Sequence, residues 1–258
     1  MRRAWRWVIA IAVAGWLPVF FIAWWWHASA NSKNPYFPPL SKIWTEFKAN
    51  WIFTLVPVHV VPSLINLFVG FAIAIVLGIG AGTLLGASRT GARYTEPLID
   101  FIRSIPPVAL VPIFILLLGL DAKMRIASIA FSATFPILLA TIEGVRHTNP
   151  VLLETAQTFR LTNQQILWRV RVPYAKPTIF AGLQVGLQIA FVVTVASEYL
   201  GSGFGLGAFT LNATDSFLIV DAWTGVILLG VLGYALSLVF DAVERVSLRW
   251  YYGQKKLA

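Results

Sequence analysis

Residues 58–85 read VHVVPSLINLFVGFAIAIVLGIGAGTLL, a run without a single Asp, Glu, Lys or Arg. A helix needs about 20 apolar residues to cross the hydrocarbon core of a bilayer, and this block exceeds that length. Working outward, further apolar blocks lie at 98–119, 126–143, 178–199 and 222–243, and another precedes it at 7–26. The expectation is an all-α polytopic membrane protein with six transmembrane helices. Composition agrees, at 58% hydrophobic and only 12% charged, where globular domains carry about 25% charged residues. The absence of Cys excludes a disulfide scaffold, thiolate metal sites and Cys redox chemistry, and 11 Trp with 18 Phe exclude disorder.

The first block follows Arg2, Arg3 and Arg6 and ends in Trp24-Trp25-Trp26, an aromatic belt at an interface. Ala28-Ser29-Ala30 resembles a signal cleavage site, but the apolar stretch is longer than the roughly 7–15 residues of a secretory core, which favours an anchor helix. Basic residues orient the spans. With both termini cytoplasmic, the inner side receives Arg2, Arg3, Arg6, Arg89, Arg93, Arg146, Arg160, Arg169, Arg171, Lys176, Arg245, Arg249, Lys255 and Lys256. The outer side receives only Lys33, Lys42, Lys48, Lys123 and Arg125. The net charge of +9 is therefore topology plus attraction to anionic lipid, not a nucleic-acid signature. Arg103 is left near the inner end of the third span, three residues from Asp100, with which pairing is expected. No basic residue is placed at mid-span, where it could fix an anion.

Gly78, Gly82 and Gly86 are four apart on one face of the second span, and Gly182 and Gly186 repeat the spacing in the fifth. Small residues at that interval let helix backbones approach closely, either within one subunit or between two copies. In the fifth span Gln184, Gln188, Phe191, Val195 and Glu198 form one helical stripe, and Asn66 adds a polar point in the second. Polar groups in lipid are expensive, so such a stripe faces a partner helix or a watery path. Glu198, near the outer end, either joins that path or reaches the interface.

Between the fourth and fifth spans the chain is patterned. Asn149-Pro150 reads as an N-cap and first helical residue. Leu152, Ala156 and Phe159 form an apolar stripe at helical spacing. Thr162-Asn163-Gln164-Gln165 has the spacing of a capping box, and the second helix is expected to run to about Val172, with Pro173 stopping it. Two capped amphipathic helices exceed what an interspan loop needs; they fit a docking element for a cytoplasmic protein.

The run Glu154-Thr155-Ala156-Gln157-Thr158-Phe159-Arg160, continuing to Val172-Pro173, resembles the EAA loop of bacterial ABC importer permeases. That pattern is Glu-x-Ala, then Gly four residues on, then Pro thirteen beyond; Glu154, Ala156 and Pro173 match. The surroundings are most similar to the sulfonate, taurine and nitrate permease branch: Phe37-Pro38-Pro39-Leu40 with Trp44, and Ser197-Glu198-Tyr199-Leu200-Gly201 with Gly205-Leu206-Gly207. The similarity covers roughly residues 35–250. One position departs from the family: Arg160 stands where it has Gly. Gly there would allow a left-handed helix end, so either the turn is built differently or Arg160 offsets the strain through a salt bridge to the partner.

The resemblance implies a type I ABC importer permease in the bacterial inner membrane, working as a homodimer. It implies two cytoplasmic ATPase subunits carrying ATP and Mg, and an extracytoplasmic solute-binding protein. Glu154 and Arg160 would make polar contacts with the ATPase, Ala156 would be small for close approach, and Phe159 would anchor. The chain would comprise an anchor span (1–34), an extracytoplasmic segment with an interfacial helix (35–56), a five-span core (57–245) containing the coupling loop 144–177, and a basic tail (246–258). Small anions, best an organic oxyanion such as a sulfonate, are the branch-level substrate. This chain carries no catalytic residues and no cofactor of its own: Gly86-Ala87-Ser88-Arg89-Thr90-Gly91 has glycine spacing but Ala92-Arg93 replaces the Lys-Ser/Thr of a phosphate loop. His27, His59 and His147 lack metal-ligand spacing. The rival reading, a secondary transporter or channel without ATP, would want mid-membrane carboxylates and a repeated half-structure, and neither is visible.

Overall fold

The structure is a computed structural model that describes residues 16–17, 19–200 and 203–254, and among them it is all helical, with no strand. The expected first span lies partly outside the described residues; its described remainder is helical over 19–29 (α1). There follow α2 (Leu40–Trp51), a π turn (Val56–Val60) leading into α3 (Val61–Ala87), and α4 (Arg89–Arg103). A 3-10 turn (Pro107–Leu110) runs into α5 (Val111–Leu118), followed by α6 (Ala122–Arg146), α7 (Pro150–Thr158) and α8 (Asn163–Ile166). A second π turn (Leu167–Arg171) joins α8 to α9 (Val172–Tyr199), and α10 (Leu206–Asp215), α11 (Ile219–Ser247) and α12 (Arg249–Gln254) complete the order. Among the described residues four helices are long and apolar enough to cross a membrane: Val56–Ala87, Ala122–Arg146, Asn163–Tyr199 and Ile219–Ser247. A bent pair, Arg93–Arg103 with Pro107–Leu118, makes a fifth if counted as one span.

The block 98–119, expected as one span, is a bent pair of helices whose two halves meet at 82°. The cause is Pro106-Pro107: neither residue has an N–H to donate, and Pro106, preceding a proline, takes the extended ψ of 126°. Arg103 is thus the last residue of α4 at the break. Its side chain lines a cavity together with Phe131, Ser132 and Phe135 from the middle of α6.

Pro173 does not stop its helix. Asn163–Tyr199 is continuous, because Val172 N–H bonds the Leu167 carbonyl five residues back. That widened turn absorbs one extra residue just before the ring that would otherwise clash with the preceding turn. The same device precedes α3, where the π turn Val56–Val60 ends two residues before Pro62.

The chain forms two compact units, one of residues up to Pro57 with Phe209–Leu228, the other of Val58–Ala208 with the residues from Leu229 onward. In the larger unit α6 packs between α3 and α9 around Phe71, Ile129, Ile137, Ile179 and Leu187. Glycines make this possible. A Cβ on Gly78 would lie 2.8 Å from Ile137 Cβ, and one on Gly186 would lie 2.9 Å from Ile137 Cγ1. Ile137 is therefore held between a glycine on either side. Gly82 meets Thr141, Gly86 meets Val145, and Gly182 meets Ala140 in the same way. Close backbone approach replaces the hydrophobic drive that lipid cannot supply. In the smaller unit α2 is tied to the first part of α11, by Asn50 Nδ2 donating to Asp221 Oδ1 at 2.8 Å and Trp51 Nε1 donating to Thr224 Oγ1 at 3.0 Å. Trp25, Phe37 and Trp223 form an aromatic cluster beside them.

Candidate functional site

The segment between α6 and α9 is built by short-range hydrogen bonds. Asn149 Oδ1 accepts from Val151 N–H at 2.9 Å, capping α7 ahead of Pro150. At the other end of α7, Arg160 N–H donates to Gln157 O at 2.8 Å and Leu161 N–H donates to Ala156 O at 3.1 Å. These are the two bonds of a Schellman motif, whose closing residue must be left-handed. That residue is Arg160, at φ +54°. The turn is thus the one a glycine would make, built with Arg. Thr162 and Gln165 then exchange side-chain and backbone bonds, Thr162 N–H to Gln165 Oε1 at 2.9 Å and Gln165 N–H to Thr162 Oγ1 at 3.3 Å, which starts α8.

This chemistry presents a groove of about 530 Å³, lined by Leu152, Ala156, Phe159, Leu161, Pro173, Tyr174 and Trp250. Ala156, only 4% exposed, forms part of its floor, and Phe159, 76% exposed, borders it. Glu154 and Arg160 are exposed on the same segment. The smallness of Ala156 thus answers first to packing inside this chain. Trp250 comes from α12, about 90 residues further on in sequence, and no local pattern announces it.

The polar residues of the spans do not converge. Gln184 Nε2 donates to Asp241 Oδ1 at 3.2 Å, joining α9 to α11; Gln188 is exposed and Asn66 is buried in α3. Glu198 lies about 21 Å from Gln184 along α9, at 1.5 Å per residue. It is 1% exposed. Ser63 Oγ donates to Glu198 Oε1 at 2.6 Å, Gly207 N–H donates to Oε2 at 2.8 Å, and Leu206 N–H donates to Ser63 Oγ at 3.0 Å. His59 Nδ1 lies 3.0 Å from the Gly205 carbonyl. Gly205 has φ +114°, and a Cβ there would overlap the Glu198 carboxylate; one on Gly207 would come within 2.6 Å of Val195 O. Glu198 therefore fastens α3, α9 and the start of α10 together. Sequence reasoning missed Ser63, although the paired glycines beside Glu198 hinted at a tight wrap.

Residues 74–251 match the family model described as "Binding-protein-dependent transport system inner membrane component". The chain belongs to this family of ABC transporter permeases. The permease is 27% identical to the taurine transport system permease protein of Escherichia coli K12, over 97% of this chain and 94% of that one. It is 32% identical to the bicarbonate transport system permease protein of Synechococcus elongatus, over 73% of this chain and 68% of that one. Among solved structures, the MetNI methionine ABC transporter in inward-facing conformations matches with a TM-score of 0.66 at 22% identity, covering 76% of this chain and 96% of that chain. That likeness concerns the fold, which is that of type I importer permeases. A permease of this family is a multi-pass inner-membrane transport subunit without catalysis of its own, and ATP is hydrolysed on a separate chain.

Proposed function

We propose that the permease forms the membrane pathway of an ATP-driven importer for a small organic oxyanion such as a sulfonate. It works as a homodimer with six spans per subunit and both termini cytoplasmic. A solute-binding protein delivers the solute on the outer side, and two ATPase subunits holding ATP and Mg dock on the inner side. The observation that carries this reading is the groove at α7, where Ala156, Phe159 and Pro173 converge beside exposed Glu154 and Arg160. Phe159 seats in a cleft of the ATPase, and Glu154 and Arg160 make charged contacts around it. ATP binding and the loaded binding protein each favour one of two states of the spans, and the solute crosses as the populations shift. Gln184, Gln188 and Asn66 border the pathway, and Glu198 fastens the helices at its outer end. The oxyanion class is supported by relatives named for taurine, aliphatic sulfonates, nitrate and bicarbonate transport.

The test is affinity purification of the tagged permease with its co-expressed ATPase in mild detergent, followed by an ATPase assay of the eluate. An ATPase subunit that co-purifies with wild type and is lost with Phe159→Asp supports the reading. A permease that purifies alone and moves solute into liposomes without ATP overturns it.

A further inference from the structure

The charged pair at the end of α4 shares a cavity with apolar and polar residues from the middle of α6. Arg103 Nε donates to Asp100 Oδ1 at 2.8 Å, and the two side chains remain 54% and 49% exposed. They line a cavity of about 470 Å³ whose far wall is Phe131, Ser132 and Phe135. Ser132 stands ten residues into the 25-residue α6, about 15 Å from its start at 1.5 Å per residue, so this is mid-depth in a span. Charged side chains that line a cavity among spans face water or a ligand, and irregular backbone is tolerated there when it lines a wet cavity. Ser132 Oγ is buried and makes no hydrogen bond among the described residues; a serine in a helix ordinarily satisfies its hydroxyl on the preceding turn. A second cavity of about 420 Å³ shares Asp100, Arg103 and Leu139 with the first and continues along α6 to Glu143 and Arg146. The Arg103–Asp100 pair thus lines both cavities, one against the middle of α6 and one reaching its end.

We infer that the cavity shared by Arg103, Asp100 and Ser132 is a transient solute station for a small zwitterion that carries an oxyanion head and an amine. Arg103 offers the planar fork that suits an oxyanion, and Ser132 Oγ supplies a hydroxyl donor to the same head. Asp100 takes the amine once the solute has opened the Arg103–Asp100 contact. Phe131 and Phe135, packed edge to face at 5.0 Å between ring centroids, cover the short carbon linker. The arrangement discriminates: a solute without the amine leaves Asp100 without a cation when Arg103 turns to the oxyanion. The volume lies within the range of small-ligand pockets. The station rests on the importer reading and deepens it.

The chain has no Cys, so Ser132→Cys is a unique probe in the intact permease–ATPase complex in liposomes. The measured quantity is its rate of modification by a water-soluble, sulfonate-bearing thiol reagent, with taurine or ethanesulfonate as protectant. We expect labelling from water, with taurine protecting at concentrations about tenfold lower than ethanesulfonate. Adding Arg103→Gln leaves the introduced thiol reactive but abolishes protection by both solutes. Adding Asp100→Asn brings the two protectants to equal potency. A thiol that does not react in the Ser132→Cys complex, protection by neither solute while Arg103 is present, or protection that survives Arg103→Gln overturns the station. Failure of the importer reading is separate, because it appears beforehand as a permease that does not co-purify with an ATPase.

Discussion

Leu161 donates its backbone N–H to the carbonyl of Ala156 at 3.1 Å, closing the end of α7 around a left-handed Arg160. Phe217 does the same at the end of α10, with φ +56° and Leu218 N–H bonded to Ala213 O at 2.8 Å. Two helix ends therefore carry a side chain where glycine is favoured, each at about 1 kcal/mol. Arg160→Gly and Phe217→Gly should both raise the thermal stability of the detergent-solubilised permease. Only Arg160→Gly should weaken ATPase binding, severalfold in a titration of the purified subunits, because only Arg160 stands on the proposed docking surface. Equal binding by both variants would reduce Arg160 to a turn residue.

Ala156 makes a different prediction from the one its family pattern suggests. Its side chain is already enclosed by its own chain, so Ala156→Leu must push α7 outward before any partner arrives. Overpacking of this kind costs about 1–3 kcal/mol, confined here to one short helix. Ala156→Leu should abolish ATPase association while leaving the melting of the membrane helices unchanged. Ala156→Ser should bind normally. Loss of binding by Ala156→Ser would mean that the methyl contacts the ATPase directly.

What could be read in advance depended on how far the deciding chemistry lay along the chain. The spans around Gly78 and Gly182 declared themselves by unbroken hydropathy. The ends of α7 and α8 did so through Asn149 and the Thr162–Gln165 pair, whose bonds reach only two or three residues. Prolines were harder, because the same residue breaks a helix at Pro106 and is absorbed at Pro173; the difference lies in whether the preceding turn can widen to five-residue bonding. The Arg103 cavity was hidden because it forms between the end of α4 and the middle of α6, which lie far apart in sequence. Ser63 with Glu198 and Trp250 with Ala156 are pairs distant in sequence, which no periodicity connects. The glycine stripe was legible as a packing surface, and only the contacts with Ile137, Thr141 and Val145 tell that it is used within one chain.

The Glu198 cluster is the most exacting polar site among the described residues. Glu198→Ala would leave Gly207 N–H without its acceptor and take one of two acceptors from the Ser63 hydroxyl, at about 1–3 kcal/mol for a buried group left unpaired. Glu198→Gln keeps the shape and one acceptor, so its loss should be about half as large. Thermal unfolding followed by fluorescence-detected gel filtration should rank wild type above Glu198→Gln and Glu198→Gln above Glu198→Ala. Gly205→Ala should fall with Glu198→Ala, because a methyl there occupies the carboxylate's position. A Glu198→Ala variant as stable as wild type would show that the carboxylate is not a fastening.

Gly78 and Gly80 are two residues apart on α3 and predict opposite outcomes for one substitution. A methyl on Gly78 would press to within 2.8 Å of Ile137, a fully buried branched side chain that Gly186 blocks from behind. A methyl on Gly80 meets nothing within 4 Å. Alanine is favoured over glycine inside a helix by about 1 kcal/mol, so Gly80→Ala should match or exceed wild-type stability. Gly78→Ala should lose about 1–3 kcal/mol through overpacking, and Gly78→Val more. Pairing Gly78→Ala with Ile137→Val, which trims the opposing side chain, should recover part of the loss. Thermal melting of the four variants in one detergent decides the matter. A Gly78→Ala permease as stable as Gly80→Ala would mean that α3 and α6 do not meet along this stripe, and the packing of the whole larger unit would have to be redrawn.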